Sequence, residues 1–356
     1  MNTGHYFGAG PAALPQEVKQ QINNAVINYK DLPVSILELS HRSDEFAAIL
    51  EDARSLLRSL YSIPDNYHLL FMQGGASLQF DAIPLNLLGT LQRATYIDTG
   101  LWSRRAAGFA QKYAQVDLVN GLHELNNKQC LLAEEAWNIH SDAAYLYITP
   151  NETVDVIALP EVGHFDVPVV ADMTSCFMMR PVDISRYGVI FAATQKTLGI
   201  SGLTVVIVRD DLLDRADEDT PYLLRYDEHV KENSIVNTSS VFACYVCKLM
   251  LEWVDRQGGI VEMVKNAKHR ASLLYSAVDE SEVWSNSVCE AARSAINVVF
   301  DCPQRQTLEL FLNKAKQHNL TGLEGHRLRG GVRASMYNGT PLEAVKQLSE
   351  LIYDIS

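Results

Sequence analysis

Short apolar runs, rich in β-branched residues, recur through the middle of the chain. Six of them are predicted as strands, at residues 68–72, 94–98, 144–148, 168–171, 189–192 and 204–208. Runs that are apolar on both faces, with helical patterns between many of them, are typical of a parallel sheet covered by helices on both sides. The sequence therefore predicts an α/β fold built on a mainly parallel sheet.

The length of the chain predicts a second unit beside this sheet. The 356 residues are enough for one large domain and one smaller domain. Apolar residues recur at helical spacing in residues 46–61, ahead of the strands. After residue 259, helical patterns alternate with strand candidates such as residues 295–300. This part is predicted to form a smaller α+β domain.

Charge and hydropathy exclude several classes of function. The net charge is −13, from 30 Lys and Arg against 43 Asp and Glu, which argues against nucleic-acid binding and against docking on anionic lipid. No apolar run approaches the ~20 residues that span a bilayer, and the first residues show no basic segment followed by an apolar core. We therefore expect a cytoplasmic protein that binds neither nucleic acid nor membrane.

Six cysteines are spread along the chain, and only Cys244 and Cys247 lie close together. They lack a second ligand pair at zinc spacing and fall in a helical pattern. Two buried thiols on adjacent helical turns are favoured over a metal or redox site. We expect reduced cysteines and no bound metal.

Two charged residues end separate apolar runs. Lys196 follows the run at residues 188–193 and opens a turn that contains glycines, and Asp172 ends the run at residues 167–172. Parallel strands end at the sheet edge where α/β proteins bind ligands. A pyridoxal phosphate enzyme needs an amine for the cofactor aldehyde and an acid for the pyridine nitrogen, so the pair suggests this cofactor. Taken alone, a surface lysine and a turn-capping aspartate remain open alternatives.

Three further features follow predicted strands. The segment Gly74-Gly75-Ala76-Ser77 precedes a helical pattern, and N–H groups at a helix start suit phosphate, although a plain tight turn stays open. Trp102 offers a face on which a planar cofactor could stack, with ordinary packing as the alternative. Thr153 offers a hydroxyl that could reach a phenolic oxygen.

Two His-Arg pairs are candidate anion-binding groups. His41 and Arg42 lie in a polar turn, and His326 and Arg327 open a glycine-rich segment that also contains Arg333. Arginine forks bind carboxylate and phosphate bidentately. A solvated charge run is the alternative, but two such pairs in an acidic protein favour an anion pocket.

With these residues in view, the chain resembles the phosphoserine aminotransferase family, class V aminotransferases among the fold-type I pyridoxal phosphate enzymes. The matching segments run in order along essentially the whole chain, at residues 7–15, 40–42, 73–80, 150–153, 180–188, 195–196, 237–238, 325–327 and 333–338. The resemblance implies a seven-stranded, mainly parallel sheet in a large cofactor-binding domain at residues 16–259. It also implies a small domain at residues 260–356, an N-terminal segment at residues 1–15 near the active site, and a homodimer with shared active sites.

The resemblance implies a role for each cofactor-binding residue. Lys196 would bond to the aldehyde of pyridoxal phosphate, and Asp172 would pair with the pyridine nitrogen. Trp102 would stack on the ring, and Thr153 would hydrogen-bond the ring hydroxyl. The cofactor phosphate would be held by Ala76, Ser77 and Gln195, and from the partner subunit by Asn237 and Thr238.

It also implies the substrates. Arg333 would bind the substrate α-carboxylate, and the distal phosphate or carboxylate would be received by His41, Arg42, His326 and Arg327. The implied activity is transamination between glutamate/2-oxoglutarate and 3-phosphohydroxypyruvate/O-phospho-L-serine in serine biosynthesis, and possible use of phosphohydroxythreonine in pyridoxine biosynthesis. The alternatives are another acidic or phosphorylated 2-keto acid, or a non-catalytic binding paralogue. Substrate preference depends on the positions that depart from the family pattern, namely Gly8, Thr197, Ile200, Ser201, Ser239, Ser240, Ala295 and Arg329.

Overall fold

The computed structural model describes residues 4–355. The helices are α1 (Gln16–Ile27), α2 (Asp44–Tyr61), α3 (Ala76–Leu87), α4 (Leu101–Ala110), α5 (Tyr226–Lys231), α6 (Val241–Arg256), α7 (Gly259–Asp279), α8 (Arg305–Gln317) and α9 (Leu342–Asp354). The strands are β1 (His5–Tyr6), β2 (Tyr67–Gln73), β3 (Arg93–Asp98), β4 (Gln115–Asn120), β5 (Leu122–Leu125), β6 (Lys128–Leu131), β7 (Leu146–Ile148), β8 (Val169–Asp172), β9 (Val189–Ala193), β10 (Leu203–Arg209), β11 (Asn297–Phe300), β12 (Leu320–Thr321) and β13 (Val332–Ser335).

Seven strands form the central sheet, in the order β2-β10-β9-β8-β7-β3-β4. β10 runs antiparallel to both of its neighbours, and the other neighbouring pairs are parallel. Six strands therefore share one direction and end at the same edge of the sheet. The prediction of a seven-stranded, mainly parallel sheet in an α/β fold is confirmed.

Helices cover both faces of this sheet, which explains why its strands are apolar at successive positions. Along β10, Val205 and Ile207 pack with α2 and α6, whereas Val206 and Val208 pack with α3 and α4. Strand side chains alternate between faces, so burial on both sides requires an unbroken apolar run. β4 was not predicted because it lies at the sheet edge with several exposed positions.

A second apolar core lies in the C-terminal part of the chain. It is built from α7, α8 and α9 together with the antiparallel pair β11–β13. Trp284, Phe300 and Phe311 pack edge to face at its centre. β1 pairs with β12, so that the following residue, Phe7, is also buried in this core. The N-terminal segment thus passes from the small core towards the central sheet.

The cysteines differ in part from the prediction. Cys176, Cys244, Cys247 and Cys302 are free and buried. Cys130 and Cys289 are joined by a disulfide, with their Cα atoms 5.1 Å apart, so the expectation of reduced cysteines is wrong for this pair. The two are 159 residues apart in sequence, and they meet because the segment before Cys289 runs beside β6, where Cys289 N donates to Gln129 O. No helix within residues 4–355 has the length and apolar character needed to cross a bilayer.

Candidate active site

A cavity of about 350 Å³ lies at the edge where the parallel strands end. This volume is in the range of small-molecule sites. The cavity is lined by nine of the residues predicted from the sequence, namely Ala76, Ser77, Trp102, Thr153, Asp172, Gln195, Lys196, His326 and Arg333. Ala9 and Gly10 of the N-terminal segment line it too.

An amine and a carboxylate face this cavity from adjacent strands. Asp172 is the last residue of β8, and Lys196 follows the end of β9, the parallel partner of β8. Asp172 Oδ1 accepts a hydrogen bond from Thr174 N at 2.9 Å, and burial raises the pKa of Asp172. Burial lowers the pKa of Lys196 to about 8, against the opposing effect of Asp172. The Lys196 amine can therefore gain and lose a proton near neutral pH.

The indole of Trp102 is fixed beside this amine. Trp102 Nε1 donates to Thr153 Oγ1 at 2.9 Å, and Lys196 Nζ lies 5.7 Å from the centroid of the Trp102 ring. Because the Thr153 oxygen acts as the acceptor here, its hydroxyl proton remains able to donate to a ligand oxygen. A flat ring could thus stack on the indole with one of its oxygens held by Thr153.

Glu152 holds the start of α4 in place, and sequence reasoning did not single it out. The side chain is fully buried, and its two carboxylate oxygens accept from Trp102 N at 3.0 Å and Ser103 N at 2.8 Å. Burial raises the pKa of Glu152 to about 7, and these two N–H groups act against that rise. The motif Pro150-Asn-Glu-Thr was the only signal in the sequence, and it did not show which helix the glutamate would cap.

The start of α3 is suited to a phosphate group. Gly74 has a φ of 110°, a left-handed conformation that favours glycine, in the turn between β2 and α3. Gly75 precedes the helix and supplies no capping side chain. Backbone N–H groups of the first turn and the Ser77 side chain are therefore left for an anion, which the helix dipole also favours.

Arg333 and His326 bring cationic donors to the cavity. Arg333 Nη1 lies 3.4 Å from Thr153 O, and its buried Nε has no hydrogen-bond partner within residues 4–355. His326 Nδ1 accepts from Leu328 N at 3.3 Å, so that Nε2 carries the ring proton. Burial lowers the pKa of both side chains, and the nearby Arg333 and Arg327 lower that of His326 further. An unpartnered guanidinium nitrogen in a polar cavity fits a carboxylate ligand.

Five of the predicted site residues do not line the cavity, namely His41, Arg42, Asn237, Thr238 and Arg327. Arg42 and Arg327 are exposed. Asn237 and Thr238 are exposed as well, and both accept hydrogen bonds from Gln73 Nε2 at the end of β2. The eight positions that depart from the family pattern also lie outside the lining.

A buried polar network behind the cavity joins its loops to the small core. Asn151 Nδ2 donates to Ser175 Oγ at 2.8 Å and to Asn297 Oδ1 at 2.9 Å, and Asn151 Oδ1 accepts from Ser294 Oγ. Asn297 Nδ2 continues the network to Ser335 Oγ at 2.9 Å. Satisfied buried networks fix the geometry of the groups they connect. Sequence reasoning missed this one, because its members are far apart along the chain.

Comparison with known proteins gives a consistent family. A family model for class-V aminotransferases matches residues 5–348. The phosphoserine aminotransferase of Acinetobacter baylyi is 41% identical over 342 residues, covering 96% of this chain and 95% of that protein. The solved phosphoserine aminotransferase of Bacillus circulans subsp. alkalophilus superposes with a TM-score of 0.93 at 34% identity, over 100% of this chain and 99% of the other. The pyridoxal phosphate-bound phosphoserine aminotransferase of Trichomonas vaginalis gives 0.93 at 32% identity, over 98% and 99%.

Proposed function

Because this chain belongs to the phosphoserine aminotransferase family of class-V aminotransferases, we propose that its cavity transfers an amino group between glutamate and 3-phosphohydroxypyruvate. The protein is a pyridoxal phosphate-dependent aminotransferase of serine biosynthesis. The observation that carries the assignment of the cavity is the placement of Lys196 and Asp172 at the ends of adjacent parallel strands, with Trp102 beside the amine.

The cavity residues fit the cofactor part by part. Pyridoxal phosphate supplies an aldehyde that takes up an amino group and a ring that withdraws electrons from the reacting carbon. The Lys196 amine would bind the aldehyde and, with its pKa of about 8, carry a proton to and from the substrate. Asp172 would hold a proton on the pyridine nitrogen, and its burial strengthens that charge interaction. Trp102 would cover the ring, and Thr153 would bind its hydroxyl.

The cofactor phosphate would be held at the start of α3. Backbone N–H groups of Ala76 and Ser77 and the side chain of Gln195 line that side of the cavity. This places the phosphate at the positive end of a helix dipole.

Substrate anions would be bound by the cationic side of the cavity. Arg333 would form a bidentate contact with the α-carboxylate, and His326 would donate from Nε2 to the distal anion. We propose that Arg327 and Arg42 complete the distal site together with His41. These cations are needed because the overall charge of −13 repels anionic substrates.

We propose that two chains share each active site. A single chain leaves Asn237, Thr238, His41 and Arg42 outside the cavity, although the family pattern assigns them to it. Large apolar side chains are exposed near these segments, including Ile27 at 75%, Leu37 at 59% and Leu223 at 48%. Exposed apolar groups that cluster beside functional loops support an interface with a second copy.

The cofactor assignment is tested by replacing Lys196. Lys196→Ala should lose both turnover and the visible absorption band that the bound cofactor shows in the wild type. Lys265→Ala is the matched control, because Lys265 is an exposed residue on α7 that pairs only with Glu262. Full transaminase activity in Lys196→Ala would remove Lys196 from the mechanism.

The substrate assignment needs a separate assay. We expect Arg42→Ala and Arg327→Ala to raise KM for 3-phosphohydroxypyruvate, because each leaves phosphate charge unpaired. A panel that includes the 2-keto acid related to phosphohydroxythreonine and unphosphorylated acidic keto acids gives the preference. A better keto acid than 3-phosphohydroxypyruvate would overturn the substrate but not the cofactor chemistry.

Mixing two inactive variants tests the shared site. Lys196→Ala lacks the amine, and a variant with both Asn237 and Thr238 replaced by Ala lacks the groups assigned to the partner's site. A mixed dimer contains one site with the amine and the intact loop of the other chain, so activity should rise above that of either variant after subunit exchange. If no activity returns although mixed dimers form, the sharing of sites is wrong.

A cytoplasmic location also remains our proposal. The four free, buried cysteines support it, whereas the Cys130–Cys289 disulfide argues for an oxidising compartment. Cell fractionation with antibody detection decides between the two.

A further inference from the structure

Arg329 connects the small core to a loop of the active site without lining the cavity. Its Nη1 donates to Val154 O at 3.2 Å and to Asp155 O at 3.0 Å, and its Nη2 donates to Ser287 Oγ at 2.5 Å. Burial lowers the pKa of Arg329, with Asp155 and Asp301 opposing. The guanidinium therefore uses its planar fork to hold main-chain oxygens rather than a ligand.

The loop that Arg329 holds, residues 152–155, is also the one that orients the cofactor-facing side chains. Glu152 and Asp155 accept the first N–H groups of α4. Thr153 Oγ1 accepts from the indole of Trp102. Side chains of the 152–155 loop therefore hold α4 and Trp102, while its main-chain oxygens are held by arginines from the small core.

The hairpin that carries Arg329 also carries His326. The main-chain N–H groups of Arg329 and Gly330 both donate to His326 O at 2.8 Å, and Leu328 N donates to the His326 ring. A displacement of Arg329 would therefore alter the position of His326 relative to the 152–155 loop.

The 152–155 loop leads into a residue in a strained conformation. Val156 is fully buried with a φ of 56°, a region that β-branched side chains rarely adopt. Such a conformation persists only where the surroundings hold it. Arg329 supplies two of the contacts on the residues immediately before it, and buried carbonyls left without donors would favour relaxation of the loop.

We infer that Arg329 is a positioning residue that fixes the 152–155 loop against the His326 hairpin, and so sets where Trp102 and Thr153 stand in the cavity. Arg329 is one of the positions at which this chain departs from the family pattern. The inference rests on the proposed function for the substrates used in its test, but the contacts themselves are independent of substrate.

The test uses cofactor-loaded Arg329→Ala and Arg329→Lys. Because Arg329 acts on groups around the cofactor ring and Arg333 keeps its own place on β13, we expect kcat to fall about tenfold or more while KM changes less than about threefold. The visible circular dichroism of the bound cofactor should change as well, since the Trp102 ring moves. Arg329→Lys keeps the charge but not the fork, so it should show the same losses.

Controls separate this role from general stability. Arg305→Ala removes an exposed arginine of α8 that pairs with Glu309 and should leave kcat and the circular dichroism unchanged. If Arg329→Ala does not fold, Arg329→Lys decides the question. Wild-type kcat and wild-type cofactor dichroism in folded Arg329→Lys would overturn the inference.

The outcome also separates this inference from the proposed function. If the wild type does not aminate 3-phosphohydroxypyruvate, the substrate assignment fails. An altered cofactor dichroism in both Arg329 variants would still support positioning. If the wild type is active and both variants match it in kcat and dichroism, the function stands and the role of Arg329 is refuted.

Discussion

Replacing Glu152 by glutamine should change how stability depends on pH. The fully buried carboxyl has its pKa raised from 4.5 to about 7. The folded chain therefore keeps this proton over a range in which the unfolded chain has lost it. The raised pKa contributes stability that is present below pH 4.5 and is lost as the pH rises to about 7.

The size of this effect follows from the pKa difference. Each pKa unit corresponds to about 1.4 kcal/mol, so the wild type should lose about 3 kcal/mol of unfolding free energy across this window through Glu152. Glutamine does not titrate, and Glu152→Gln lacks this loss. Relative to the wild type, the variant should gain about 3 kcal/mol between pH 4.5 and 8. With an unfolding entropy of about 2 cal/mol/K per residue, this corresponds to a relative shift of about 4 °C in Tm.

Scanning calorimetry of both proteins, freed of cofactor, at several pH values from 4.5 to 8.5 measures the difference. Glutamine has one acceptor oxygen for two N–H groups, which adds a constant penalty, so the prediction concerns the slope and not the offset. Glu350→Gln is the control, since Glu350 is exposed. A difference in Tm between Glu152→Gln and the wild type that is flat with pH, or that falls as the pH rises, would refute the reasoning.

Two further predictions concern a thiol count and an amine. Without reductant, the unfolded protein should show four reactive thiols, and six after reduction; six at the outset would remove the Cys130–Cys289 disulfide. In the enzyme freed of cofactor, acylation of Lys196 should show a midpoint near pH 8, and Asp172→Asn should lower it because the carboxylate raises the Lys196 pKa. A midpoint near 10.5, the ordinary value, would contradict the buried setting.

The sequence predicted the strands of the sheet well where both faces are buried. Residues 68–72 and 204–208 lie within β2 and β10, because unbroken apolar runs have few other uses in an α/β fold. The antiparallel direction of β10 was not predicted, although a signal existed. Residues 194–202 are the only link between β9 and β10, and a parallel pair needs a crossover of about a dozen residues or more.

The cavity residues were predictable to the extent that their chemistry restricts residue type. Only an amine suits an aldehyde, and an arginine fork suits a carboxylate, so Lys196 and Arg333 could be found without coordinates. The buried partners of Asn151 could not, since Ser and Asn satisfy hydrogen bonds in many settings. Nor could Cys130 and Cys289 be paired, because a disulfide depends on distance and not on spacing.

Residues that hold the cavity differ in kind from those that line it. Glu152 acts on the N–H groups of Trp102 and Ser103, and Arg329 acts on the carbonyls of residues 154 and 155. Since every residue but proline carries both main-chain groups, the partner's identity leaves no trace in the sequence. A departure such as Arg329 is therefore uninterpretable until the loop beneath it is placed. Once placed, it shows that the small core acts on the cofactor site through the main chain of residues 152–155, so substitutions in that core can alter turnover without touching a ligand.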